Sequence, residues 1–194
     1  MCILKSLTDQ ELISSYLGGS AKSIEVLIKR HRHRVFGYIY LIVKNRELAE
    51  DIFQDTFVKI INTLRSGSYK EEGKFLPWVV RIAHNLAIDH FRKENRMPKL
   101  RETEEFSIFD IIPDKQENAE EKTITRQIHQ QVRSLIELLP REQREVLVMR
   151  HYGEMDFKEI ASVTNVSINT ALGRMRYALI NLRKLIERRH MVVQ

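Results

Sequence analysis

The sequence predicts an all-α protein: two helical domains, residues 1–96 and 122–194, joined by an extended acidic linker over 97–121. Three observations carry this expectation. Four Pro and seven Gly among 194 residues are too few turn formers for a chain of many short strands. Apolar residues recur at threes and fours along most of the length, the spacing of one helix face. The formal charge of +6 divides by position. Residues 1–96 hold 16 basic and 11 acidic side chains (net +5), residues 97–121 hold 3 and 8 (net −5), and residues 122–194 hold 13 and 7 (net +6).

Taken in order, Thr8-Asp9-Gln10-Glu11 has capping-box spacing for a short first helix that Gly18-Gly19 ends. From Ser20, Ile24, Leu27, Ile28, Val35, Ile39 and Ile42 mark a long amphipathic helix leaving near Asn45. Leu48 to Leu64 sets Ile52, Phe53, Phe57, Ile60, Ile61 and Leu64 on one stripe and polar groups opposite. Ser66-Gly67-Ser68 breaks that pattern. Helix is expected again from Pro77, a residue suited to a first helical position, to about Asn95, with Pro98 forbidding continuation. The linker holds Pro98 and Pro113 and one apolar cluster, Phe106 to Ile112. Ile124, Ile128, Val132, Leu135, Ile136 and Leu139 restore the helical period, and Pro140 opens the next helix, to His151. Asp156-Phe157-Lys158-Glu159 is a second capping box, starting a short helix to Val163. Thr164-Asn165-Val166 is a tight turn, and Ser167 caps a long final helix with Ala171, Met175, Ala178, Leu182, Leu185 and Ile186 inward. Short helix, tight turn, longer helix is the helix-turn-helix layout.

Composition excludes several classes. The single cysteine, Cys2, allows neither a disulfide framework nor a Cys pair for structural zinc. No window approaches the ~18 apolar residues of a membrane span, and Met1 to Glu11 lacks the apolar core of a signal peptide, so a cytoplasmic protein is expected. The seven His are scattered without a zinc-ligand spacing, and the glycines form no phosphate loop. No cofactor, metal, catalytic constellation or small-molecule substrate is expected. Two basic blocks suit a polyanion, although a solvated basic surface is the plain alternative. On the last helix Thr170, Gly173, Arg174, Arg176 and Tyr177 lie on or beside the outer face, where they can reach phosphates and base edges in a major groove. Arg81, Asn85 and Asp89 are four apart and share a face that can grip phosphates or exposed base edges. Tyr69, Phe75 or Trp78 would stack unpaired bases, but Trp78 and Phe91 suit a core better than a platform, since large aromatics at helical period normally fill one. Glu50, Asp51, Gln54 and Asp55 form an acidic stripe inside a basic domain: either a solvated face or a surface for a basic protein partner.

Three stretches then coincide in order and spacing with one family: AEDIFQDTFVKI (Ala49–Ile60), FLPWVVRIAHNLAIDHFRK (Phe75–Lys93), and LPREQREVLVMRHYGEMDFKEIA (Leu139–Ala161) followed by VSINTALGRMRYAL (Val166–Leu179). The chain resembles the extracytoplasmic-function (ECF) group of bacterial RNA polymerase sigma factors over nearly its whole length. The resemblance implies a sigma region 2 in 1–96 and a region 4 in 122–194. It implies that Glu50, Asp51, Gln54 and Asp55 dock on the clamp helices of the largest subunit of core RNA polymerase. Arg81 and Asn85, with the Ser66–Phe75 loop and its Tyr69 and Phe75, fall where the family captures the unpaired non-template strand of the −10 element. Ser167, Asn169, Thr170, Leu172, Gly173, Arg174, Arg176 and Tyr177 fall on the helix that reads the −35 element of promoter DNA. Leu172-Gly173 departs from the basic residue followed by Ser often found there, so no known −35 sequence transfers. The acidic linker resembles segments that thread the polymerase's basic channels. An anti-sigma factor, membrane-bound for many of the group, is implied as a further partner. A stand-alone helix-turn-helix regulator is the alternative, and it leaves Ala49–Ile60 and the linker unexplained.

Overall fold

Thr8 begins the first helix, α1 (Asp9–Leu17), through a reciprocal cap: its hydroxyl accepts from the Glu11 amide, and the Glu11 carboxylate accepts from the Thr8 amide at 2.7 Å. The Glu11 carboxyl is held below its usual pKa first by the bond from the Thr8 amide and then by one from the Thr8 hydroxyl, which donates to Oε2 at 2.9 Å. The computed structural model describes residues 4, 6–70, 72–94 and 131–188. Among them every regular element is a helix, and the chain divides into two compact units, one holding the helices up to Glu94 and the other those from residue 131. The expected linker with its Phe106–Ile112 cluster, both domain boundaries, Cys2 and the Ile124–Ile128 turn lie outside the described residues.

In the first unit, α2 (Ala21–Val43) is the central element, packing against α1 and against α3 (Arg46–Arg65) and α4 (Phe75–Glu94). Leu27, Val35, Tyr38, Ile39 and Leu41 of α2, Ile60 of α3 and Val79, Val80, Ala83 and Ala87 of α4 are fully buried. A buried Leu or Ile contributes about 1.5–3 kcal/mol. The Tyr38 hydroxyl meets His84 Nδ1 at 3.0 Å inside this core, which gives the one phenol there a polar partner. Only two residues join α2 to α3. Lys44 turns left-handed (φ 56°), and Asn45 caps α3 by accepting from the Leu48 amide at 2.9 Å.

The last helix of this unit starts at Phe75, two residues before the expected Pro77. Its first bond runs from the Trp78 amide to Lys74 O at 3.2 Å. Pro77 therefore stands in the first turn, where its missing N–H has no helical acceptor to lose.

In the second unit, a helical segment α5 over residues 131–137 precedes α6 (Arg141–Tyr152), α7 (Phe157–Thr164) and α8 (Ile168–Arg188). Pro140 stands one residue ahead of α6, with its carbonyl accepting from Arg144 at 2.9 Å. Leu135, Val146, Val148, Met149, Met155, Ile160, Ala171 and Ala178 form the core. Arg144 is buried there and donates to the Glu137 and Leu139 carbonyls, closing the end of α5. Burial lowers its pKa.

Candidate functional site

The rotation of α3 is fixed by what it buries. Ala49, Ile52, Thr56, Phe57, Ile60 and Leu64 face inward, and the opposite face carries Glu50, Asp51, Gln54 and Asp55, all exposed. Asp51 and Asp55 are one turn apart, about 6 Å along the axis, on the edge of a cleft between α3 and α4 that Leu86, Arg92 and Lys93 also line. Farther along, the 57% exposed Val58, Lys59 and Asn62 continue the surface. Glu50 accepts from Arg46 Nε at 3.0 Å; at such exposure the pair is worth under about 1 kcal/mol. The sequence places the acidic face correctly because one buried stripe determines the other side of a helix.

On α4, Arg81 and Asn85 are exposed on one face, and Asp89 follows it and pairs with Arg92 at 3.4 Å. At the helix start lies an aromatic cluster. The Tyr69 and Trp78 rings are 4.4 Å apart, Phe75 and Trp78 5.8 Å, and Tyr69 meets Phe75 edge-on at 6.3 Å. Tyr69 and Trp78 are half-buried. Phase matters here. Phe75, a stacking candidate in the sequence, is 2% exposed, so its faces are covered and it supports the other two rings. Trp78 and Phe91, expected in the core rather than on a platform, keep part of their surface in solvent.

In the second unit the Asp156 carboxylate caps α7 at the Glu159 amide, 2.8 Å, and the Glu159 side chain returns to the Asp156 amide at 2.8 Å. Asn165 ends α7 left-handed (φ 54°), a conformation Asn tolerates better than most residues. Ser167 then caps α8 by accepting from the Thr170 amide at 3.1 Å. Ala171 and Ala178, both fully buried, set the inner face of α8. At 100° per residue, Asn169, Gly173 and Arg176 fall opposite, with Thr170, Leu172 and Tyr177 on the flanks. Asn169, Thr170 and Arg176 are exposed, as are Leu172 (44%) and Tyr177 (60%). A Cβ built on Gly173 meets nothing within 4 Å. Arg174, placed beside the outer face by the sequence, is half-buried toward the core side, and its charge reaches Glu145. Glu145 is itself buried, and that burial raises its pKa against the opposing pull of Arg141 and Arg174.

Sequence reasoning missed the pairing of Asp9 with Arg30 and His31, at 2.6 and 2.7 Å, because no local pattern links residues 21 and 22 apart. Among the described residues no group of His, Cys, Asp and Glu could hold a metal, and no helix is long and apolar enough to cross a membrane.

Sigma-70 region 2 matches residues 27–97, and Sigma-70 region 4 matches residues 129–177. Together they take in well over half of the chain, one in each unit and in the family order. The chain belongs to the sigma-70 family. The RNA polymerase sigma-H factor of Pseudomonas aeruginosa is 26% identical over 171 residues, 86% of this chain and 88% of that protein. The ECF RNA polymerase sigma-E factor of Escherichia coli is 26% identical over 176 residues, 88% and 90% of the two. Within the family the chain is thus of the ECF type. Two solved structures share the fold: CnrH in complex with the cytosolic domain of CnrY (TM-score 0.59, 22% identity, 92% of this chain and 97% of that one), and the sigma factor RpoE of Bartonella quintana with the anti-sigma factor NepR (TM-score 0.62, 16% identity, 86% and 98%).

Proposed function

We propose that this ECF sigma factor binds core RNA polymerase, directs it to a subset of promoters through −35 and −10 elements, and helps open the DNA. The observation that carries the reading is that one chain joins a region 2 module, with an exposed acidic face on α3, to a region 4 helix-turn-helix with an exposed recognition helix. A stand-alone regulator would need only the second.

In this reading Glu50, Asp51, Gln54 and Asp55 meet the basic surface of the largest-subunit clamp helices. The N-terminus of α8, with Ser167, Asn169 and Thr170, presents amides and hydroxyls to phosphates. Arg176 and Tyr177 reach the groove, Leu172 suits a thymine methyl, and Gly173 admits the backbone closely. Arg81 and Asn85 take the unpaired −10 strand beside the Tyr69–Trp78 pair. Holding an unstacked base there offsets the few kcal/mol of extruding it. Bond-making belongs to the polymerase, so the factor works without a catalytic residue or cofactor of its own, in the cytoplasm where core polymerase and promoters are. The complex of the similar RpoE with the anti-sigma factor NepR supports an anti-sigma partner for this chain too, one that would hold it inactive by covering these surfaces. Residues 1–96, 97–121 and 122–194 serve as the three functional parts.

In vitro transcription with core polymerase on total genomic DNA tests the reading. Defined transcripts that require this chain are expected. Duplex binding without core, and no added transcripts with it, would favour the stand-alone regulator.

A further inference from the structure

Asp9 stands in the first turn of α1, yet both of its carboxylate oxygens are engaged by α2. Oδ1 accepts from Arg30 Nη1 at 2.6 Å, and Oδ2 lies 2.7 Å from His31 Nε2. Arg30 also donates to the Leu7 carbonyl at 2.6 Å, so the start of α1 is tied to α2 at three points. Burial pushes the Asp9 carboxyl up, but the bonds and charges of His31 and Arg30 outweigh it and hold its pKa below the usual value. His31 is 8% exposed, and its ring packs against Phe75 at 5.4 Å and 50°. Phe75 in turn touches both Tyr69 and Trp78.

We infer that the Asp9–His31 pair is a positioning element for the −10 site: by fixing the His31 ring against Phe75 it sets the Tyr69–Trp78 pair on which an unpaired base stacks. This rests on the −10 reading above. A residue wanted only for core volume needs no carboxylate partner, and burying the polar His31 ring against a half-buried Asp9 costs free energy that an apolar side chain would avoid. What the pair adds is direction. A carboxylate 2.7 Å from one ring nitrogen permits one ring orientation, whereas an aliphatic side chain would let Phe75 settle in several. Neither Asp9 nor His31 touches the nucleic acid in this scheme; both act through Phe75, and Phe75 acts through the two half-buried rings.

The test uses holoenzyme assembled from core polymerase and the full chain, with a fluorescent single-stranded oligonucleotide carrying the non-template −10 sequence of a promoter mapped by the genomic transcription experiment. Anisotropy titration reads its affinity. His31→Leu is expected to weaken binding about 2- to 10-fold, the value of one lost ring contact, and by less than twofold in a Phe75→Leu background, because the route to the site is already cut there. Affinity for core is expected to be unchanged. Full affinity in His31→Leu overturns the inference, as does an equal loss in both backgrounds, which would mean a general loss of stability. Where His31→Leu does not accumulate folded, Asp9→Asn, isosteric and at the helix start, carries the same expectation and the same refutation. Tyr69→Ala and Arg81→Ala separate the two levels. If both bind the strand normally, the −10 reading itself fails; if both are defective while the His31 variant is normal, only the inference fails.

Discussion

Reversing the acidic face of α3 is the most direct challenge to the polymerase assignment. Asp51→Lys together with Asp55→Lys changes two exposed positions one turn apart, on a face whose rotation is fixed from the other side by Ile52, Phe57 and Ile60. Exposed substitutions of this kind move stability by about 0.5 kcal/mol or less. The new lysines face Arg92 and Lys93 across the α3–α4 cleft, which adds a screened repulsion of similar size. At a protein interface the same change counts for more. Coupling energies of close charge pairs start near 1.5 kcal/mol, so losing two attractions costs about 3 kcal/mol, and making them repulsive raises the total to about 5. That corresponds to a core affinity reduced by roughly 10²- to 10⁴-fold. Fluorescence titration of labelled chain with core polymerase measures it, and circular dichroism checks that helix content and melting are retained. A folded double variant that binds core within threefold of the parent would refute the reasoning.

Arg81→Ala with Asn85→Ala should leave core binding intact and reduce promoter opening about tenfold, read by permanganate reactivity of unpaired thymines. Arg176→Ala should weaken −35 duplex binding and lower its salt slope by about one, while Arg174→Ala, on the inner flank beside Glu145, should change the slope less. Gly173→Ala should raise the melting temperature of the second unit, by the ~0.5–1 kcal/mol that Ala gains over Gly in a helix, because its Cβ meets nothing; the same change should reduce −35 affinity if the glycine admits DNA, and a purely stabilising result removes that role. Glu145, its pKa raised by burial, favours folding fully below the usual carboxylate value near 4.5 and loses that contribution as pH rises through the elevated one. Glu145→Gln should therefore flatten the fall in stability between the usual value near 4.5 and the elevated one, as followed by thermal melts in a pH series.

Helix phase is what the sequence reveals well, and long-range partnership is what it conceals. Capping boxes at Thr8 and Asp156 and the cap at Ser167 are local, and each forms as read. The acidic face of α3 follows from one stripe of six buried residues. Pro77 misleads by two positions, because proline suits the whole first turn and not its first residue alone. Phe75 and Trp78 are three apart, and the sequence favours the core for Trp78 and the stacking role for Phe75, the reverse of their burial. His31 packs from α2 on Phe75, which is buried, while Trp78 stays partly exposed, and no local pattern announces that long-range contact. Arg174 is a misreading of phase that the sequence itself corrects: three residues from the inward Ala171, it lies only about 60° from that face, whereas Arg176 lies nearly opposite and is exposed.

The two signs of charge in the first unit are best understood as one device. Residues 1–96 are net positive and so attract any phosphate backbone, yet α3 turns carboxylates outward where DNA would otherwise bind without order. An acidic face repels nucleic acid and attracts a basic protein surface, so under the proposed function the same charges that meet the polymerase would also confine DNA to the Arg81–Asn85 side. The double reversal on α3 then carries a second signature. Each Asp→Lys adds two charges, raising the net charge of residues 1–96 from +5 to about +9, so free chain should bind random duplex DNA more tightly and with a steeper salt dependence while its hold on core polymerase falls. A loss of core binding without that gain would mean that the acidic stripe serves the polymerase contact alone and does not also keep DNA off α3.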